Sequence, residues 1–183
     1  LLRMVQQNRL SHALLFLGKE GSGALSLAFA FAQYLVCEKV NGKSKHVENN
    51  APSLFGEPEP STAAVNKEWP ADACNNCAAC LKAAKLIHPD IHYSYPVIPR
   101  KSGEKPLSTD FITDWRKFIE DQPYGNLYDW LQYIEAENKQ GNITAAECNE
   151  IIRKMSLKSF ESGYKILIMW MPDMLKKEGN KLL

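Results

Sequence analysis

The segment from Gly18 to Gly23 stands between an apolar run, Leu14 to Leu17, and a stretch of helix formers, Ala24 to Val36. That order of strand former, glycine-rich loop and helix former constrains the fold more than any other feature of the chain. Glycines let the backbone turn tightly, and the N–H groups opening the following helix face outward, where they favour an anion. Further along, Ile91 to Ile98 is aromatic and β-branched in the manner of a strand, and Ile166 to Met171 is a continuous apolar run of the kind buried on both faces of a parallel sheet. Between them, Phe111, Ile112, Trp115, Phe118 and Ile119 recur at helical spacing; a turn around Pro123 to Asn126 follows, then Leu127, Trp130, Leu131 and Ile134 repeat the spacing. This predicts a helical hairpin, with Trp115 in its core and Trp130 either core or part of a partner-binding face. Thr144 with Glu147 is a capping-box signature for a helix ending near Leu157, whose inner face carries Cys148, Ile151, Ile152 and Met155. Strands alternating with helices predict an α/β fold, a parallel sheet flanked by helices.

A chain of 183 residues accommodates one well-buried domain, or one domain and a small module. With 45% apolar and 23% charged residues it has ordinary globular composition, and a net charge of +1 provides no overall field for a polyanion. The most apolar stretch, Leu25 to Val36, contains Ser26 and Gln33 and is shorter than the roughly 20 residues that span a bilayer. No export leader opens the chain, so a cytoplasmic location without a membrane partner is expected. A first residue Leu1 and a last residue Leu183 inside an apparent helix suggest a piece of a longer protein. Asn41 to Pro70 has no sustained period and reads as a long surface loop.

A working phosphate loop follows its last glycine with Lys, which reaches the β and γ phosphates, and with Ser or Thr, which holds magnesium. Here those positions are Ala24 and Leu25, although Gly18, Gly21 and Gly23 preserve the spacing. The late strand should end in an acidic pair that binds magnesium and orients water, yet Trp170 and Met171 stand there, with only Asp173 near by. Such a degenerate loop is expected to be catalytically inactive, because phosphoryl transfer rests on positioning and charge neutralisation. Whether it holds a nucleotide is left open by the sequence. A divergent enzyme using Lys19 or Glu20 is the alternative reading.

Cys74, Cys77 and Cys80 form CxxCxxC. Thiolates this closely spaced can converge on one tetrahedral ion, and in a chain without export signals they favour metal over disulfides. Zinc is expected rather than an iron–sulfur cluster, since nothing else suggests redox work. Cys37 and His88 compete as fourth ligand, while Cys148 reads as a small buried apolar residue. A stand-alone zinc nucleic-acid module would surround its cysteines with basic and aromatic residues, whereas Asp72, Asn75, Asn76 and alanines flank these.

Taken together, SHALLFLGKEGSG at Ser11 to Gly23, CNNCAAC, HPDIH at His88 to His92, the segment from Ile143 to Ile152, YKILIM at Tyr164 to Met169 and the terminal GNKLL resemble the clamp-loader subunits of bacterial DNA polymerase III. Among these AAA+ proteins the resemblance is closest to the delta-prime subunits. It implies an AAA+-like domain over 1–183 and a zinc module over 37–85 held by Cys37, Cys74, Cys77 and Cys80; the helical insertion over 95–142 has no clear counterpart in the family. The gap between Cys37 and Cys74 is longer than relatives have. The resemblance further implies a stationary, ATP-hydrolysis-incompetent subunit of a hetero-pentamer. Its partners would be motor and delta-like subunits and, through the assembly, the sliding clamp and primed DNA. The arginine that such a subunit presents to its neighbour would lie beyond Leu183.

Overall fold

The computed structural model describes residues 1–41, 69–101, 103–136 and 138–175, so the long loop expected over 41–70 and the terminal GNKLL fall almost wholly outside the described residues. The chain opens with a short helix, α1 (Leu2–Gln6), whose buried Val5 joins Phe31, Tyr34 and Leu35. Residues 10–17 then run extended. Leu14 and Phe16 turn toward the same cluster, while Leu15 and Leu17 remain 76% and 89% exposed. Alternation of this kind is strand-like, but among the described residues the run has no strand partner. The expected strand is therefore an extended segment held by one row of side chains rather than by a ladder.

Helix α2 (Ala24–Val36) begins after Gly23, whose φ of 80° lies in the left-handed region that glycine adopts without strain. Its second half buries Phe31, Ala32, Tyr34, Leu35 and Val36. Helix α3 (Ala78–Ala84) packs small residues, Ala79 and Ala83, against Ala32 and Val36 of α2 and against Ile91 and Ile168 of the sheet. Alanine at both contact positions is what permits this close approach. Two parallel strands, β1 (Ile91–Ser94) and β2 (Ile166–Met169), pair Ile91 with Ile166 through Ser94 with Met169.

Both strands are shorter than the sequence predicts. Beyond Ser94 comes Pro96, which has no N–H to give a ladder, and the chain turns so that Val97 pairs antiparallel with Asn142. After Met169, Met171 takes a φ of 56° and Pro172 opens a 3₁₀ turn, which ends β2. Only Ile168 of β2 is buried, and in the described two-stranded sheet the outer edge of β2 is unpaired. The parallel arrangement holds; burial on both faces does not.

The connection from β1 to β2 carries a 3₁₀ turn (Ser108–Phe111), then α4 (Ile112–Asp121), α5 (Leu127–Tyr133) and α6 (Ala145–Met155). Helices α4 and α5 form the expected hairpin. Asn126 caps α5 by accepting from the amide of Asp129, whose carboxylate accepts from the amide of Asn126. An aromatic cluster holds the pair: Tyr95 stacks on Trp115 at 4.0 Å between centroids, and Trp130 meets both rings edge-on at 5.4 and 5.2 Å. Trp130 is fully buried and donates from Nε1 to the carbonyl of Pro96 at 2.8 Å, which places it in the core with Trp115.

At the start of α6, Thr144 Oγ1 accepts from the amide of Glu147, as the capping pattern predicts. The Glu147 carboxylate does not turn back to Thr144; it accepts from the amide of Ser108 at 2.9 Å, so half the box is used to tie α6 to the 3₁₀ turn. Cys148 and Ile151 are buried on the predicted face, whereas Ile152 is 43% exposed. Among the described residues no helix is long and apolar enough to cross a membrane.

Candidate metal centre and glycine loop

Cys37 ends α2, where its backbone leaves helical geometry at φ −58°, ψ 125°, and its side chain is fully buried. Cys74 precedes a tight turn in which Asn75 takes a φ of 57°, a conformation asparagine tolerates better than most residues. Cys77 is the N-cap of α3, and Cys80 lies one turn into that helix. Gln33 of α2 fixes the turn against its own helix: its Nε2 donates to Asn75 Oδ1 at 3.0 Å and to the Cys80 carbonyl at 3.3 Å.

These elements bring the four sulfur atoms within 4.8 Å of one another. Zinc held at about 2.3 Å from each of four sulfurs places them about 3.8 Å apart along the edges of a tetrahedron. Cys74 and Cys80 are separated by 3.9 Å, close to that edge and far beyond a sulfur–sulfur bond. The backbone is arranged to support thiolates as well. Amides of Cys74, Cys77 and Cys80 donate at 3.4 Å to the sulfurs of Cys37, Cys74 and Cys77 respectively.

The electrostatics of the set are uneven. Backbone N–H groups of Asn76 and Cys77 bring the Cys74 thiol down to about 6, while burial pushes the Cys80 thiol up. Cys74 is ready to ligate as a thiolate, and a divalent ion coordinated by the set would draw the proton from the buried Cys80 thiol as well. The residues therefore fit a metal ion such as zinc. Cys37, the ligand separated from the others by the long loop, is part of the cluster; its rival His88 is not. Cys148 is buried in α6 and also lies outside the cluster.

His88 instead serves the loop before β1. Its Nδ1 accepts from the amide of Asp90 at 3.1 Å, so the neutral ring carries its proton on Nε2, 4.0 Å from Glu161 Oε2. Burial lowers its pKa, against the opposing pull of Asp90 and Glu161. Asp90 is fully buried, and its carboxylate accepts three amides, from Phe160 at 2.5 Å, Glu161 at 2.7 Å and Ser162 at 2.8 Å. Burial alone would raise its pKa; the three amides outweigh burial and hold it below the usual value. The HPD motif thus clamps the approach to β2 onto the start of β1. Sequence reading marked the motif without seeing this role, because the three donors are backbone groups that carry no side-chain signature.

In the glycine loop, Gly18 lies beside Ser22: a Cβ on Gly18 would come within 2.2 Å of Ser22 Oγ. The amide of Ser22 closes a turn on the carbonyl of Lys19 at 3.0 Å. Gly21 and Gly23 have φ values of 71° and 80°. Lys19 and Glu20 are exposed, and Leu25 packs against the aromatic cluster and the sheet cluster. Trp170 also packs on that aromatic cluster, 5.2 Å from the Trp115 ring. Asp173 is exposed in the following 3₁₀ turn.

No curated protein and no solved structure matches the chain. A family model described as "DNA polymerase III, delta subunit" matches residues 1–54 and 61–183, a span that includes the glycine loop, the cysteine cluster, the HPD clamp and both strands. With nearly its whole length so matched, the chain belongs to this clamp-loader-type family of DNA polymerase III delta subunits.

Proposed function

We propose that this chain acts as a delta-prime-type, non-hydrolysing subunit of the replicative clamp loader, contributing an AAA+-like domain with a structural zinc module and a helical insertion. The observation that carries the reading is the fate of the charge-bearing positions. Ala24 and Leu25 follow the glycine loop, and Trp170 and Met171 end β2, with Leu25 and Trp170 engaged in apolar clusters. A site with neither a cation nor a magnesium ligand cannot neutralise the charge that develops as a phosphoryl group is transferred.

On this reading the four cysteines hold zinc for stability rather than catalysis, since a site closed by four thiolates leaves no open position for water or substrate. Energy comes from ATP hydrolysed by motor subunits of a hetero-pentamer that also contains a delta-like subunit and acts on the sliding clamp and primed DNA. A cytoplasmic location goes with that role. Reconstitution with the motor and delta-like subunits of the same cell tests it: the chain is expected to enter the assembly and to show no ATP turnover alone. Robust turnover by the isolated chain that disappears when Gly23 is replaced, or failure to enter the assembly, overturns the proposal.

A further inference from the structure

We propose that the turn of the α4–α5 hairpin is a built-in plug for the glycine loop, with Pro123 and Tyr124 standing where a phosphate would otherwise meet the start of α2. The topology sets this up. In a parallel α/β sheet ligands gather outside the carboxyl ends of the strands, and the hairpin leaves the carboxyl end of β1 and returns toward β2.

Two contacts place the turn at the helix start. Ser26, in the first turn of α2, donates from Oγ to the carbonyl of Pro123 at 3.0 Å. A Cβ built on Gly23 would meet Tyr124 Cε1 at 3.2 Å and Cδ1 at 3.8 Å, so the phenol ring lies directly against the glycine backbone. A hydroxyl that could have donated to phosphate is thus engaged, and its acceptor is a carbonyl oxygen whose partial negative charge repels an anion.

The turn itself is held rigidly. Gln122 and Gly125 donate their amides to the carbonyls of Phe118 and Gln122 at 2.8 and 2.9 Å. Gly125 lies so close to the fully buried Phe118 that a Cβ there would fall 2.6 Å from Cζ. On the other side, α2 has no side-chain N-cap and no acidic residue in its first turn. Its dipole end would draw an anion if it were open, and the Pro123 carbonyl lies beside it, held by the Ser26 hydroxyl. Nucleotide is then kept out by an inserted part of the chain, in addition to the missing lysine.

This inference deepens the non-hydrolysing reading, but its test needs neither ATP turnover nor assembly, so the two can fail separately. Amide hydrogen exchange of the full chain is compared with that of Ser26→Ala/Tyr124→Ala, a half-buried and an exposed position. Exchange at 22–27 is expected to rise at least about fivefold, the factor given by losing one hydrogen bond of about 1 kcal/mol, with 112–121 and 127–133 unchanged. Inorganic pyrophosphate is expected to slow exchange at 22–27 in the double variant and to have no effect in the parent. The plug is overturned if exchange in the double variant is unchanged, if pyrophosphate protects the parent, or if it protects neither protein.

Discussion

Replacing Asp90 by Asn tests the HPD clamp, because the side chain keeps its shape while losing its charge and one of its two acceptor atoms. In the parent, Oδ1 accepts from Phe160 and Oδ2 accepts from both Glu161 and Ser162, with the side chain fully buried. An Asn oxygen can retain the two-donor position, but its NH₂ then faces the amide of Phe160, leaving two donors opposed. The two retained bonds fall from charge-assisted to neutral strength, a loss of about 1 kcal/mol each, and the orphaned amide costs about 1–3 kcal/mol more. The sum is about 3–5 kcal/mol, a large share of the stability of a domain this size. Urea unfolding at neutral pH measures it as a lower midpoint at unchanged slope. The pH dependence adds a second signature. Because Asp90 titrates below its ordinary value of 3.8 in the folded chain, its contribution is complete above that value and disappears as pH falls through the folded pKa. The gap between parent and Asp90→Asn should therefore be widest near neutrality and narrow on acidification. A loss under about 1 kcal/mol at neutral pH, or a gap that widens in acid, would refute the clamp.

The cysteine cluster should bind zinc in a one-to-one ratio by metal analysis, with Cys80→Ser or Cys37→Ser abolishing retention and Cys148→Ser leaving it intact. Metal release should increase as pH is lowered, since every ligand must be a thiolate, and a competition titration against a chelator at several pH values measures the trend. Trp170→Asp, which returns an acid to the end of β2, should destabilise the chain by about 3–5 kcal/mol in thermal or urea unfolding, because it removes an indole from the aromatic cluster and places a carboxylate beside it. No ATP hydrolysis should appear in that variant by phosphate-release assay.

What the sequence made legible was whatever rests on local spacing. The helical hairpin, the Thr144 cap and the convergence of CxxCxxC follow from periods and turn chemistry, and α4, α5, α6 and the cysteine cluster occur where those signals lie. Strand ends were less legible. The run from Ile91 to Ile98 is uniformly strand-like in composition, but Pro96 ends the ladder and diverts Val97 to Asn142, a partner far away in the chain. Likewise, the apolar alternation at Leu14 to Leu17 shows that one side is buried without showing whether a neighbouring strand pairs with it. Long-range ties were not legible at all. The amides that Asp90 holds, the use of Glu147 on Ser108 instead of its own cap, and the bond from Ser26 to Pro123 each join residues distant in sequence through a backbone group.

Leu25 and Trp170 both pack against the cluster built by Tyr95, Trp115, Phe118 and Trp130. That cluster is in turn what fixes the hairpin whose tip lies against Gly23 and Ser26. One apolar cluster therefore ties together the start of α2, the end of β2 and the hairpin. An aspartate at position 25 or 170 would set a carboxylate against this apolar cluster. Any substitution that set charge at these two positions would therefore first have to loosen the aromatic packing that holds the hairpin.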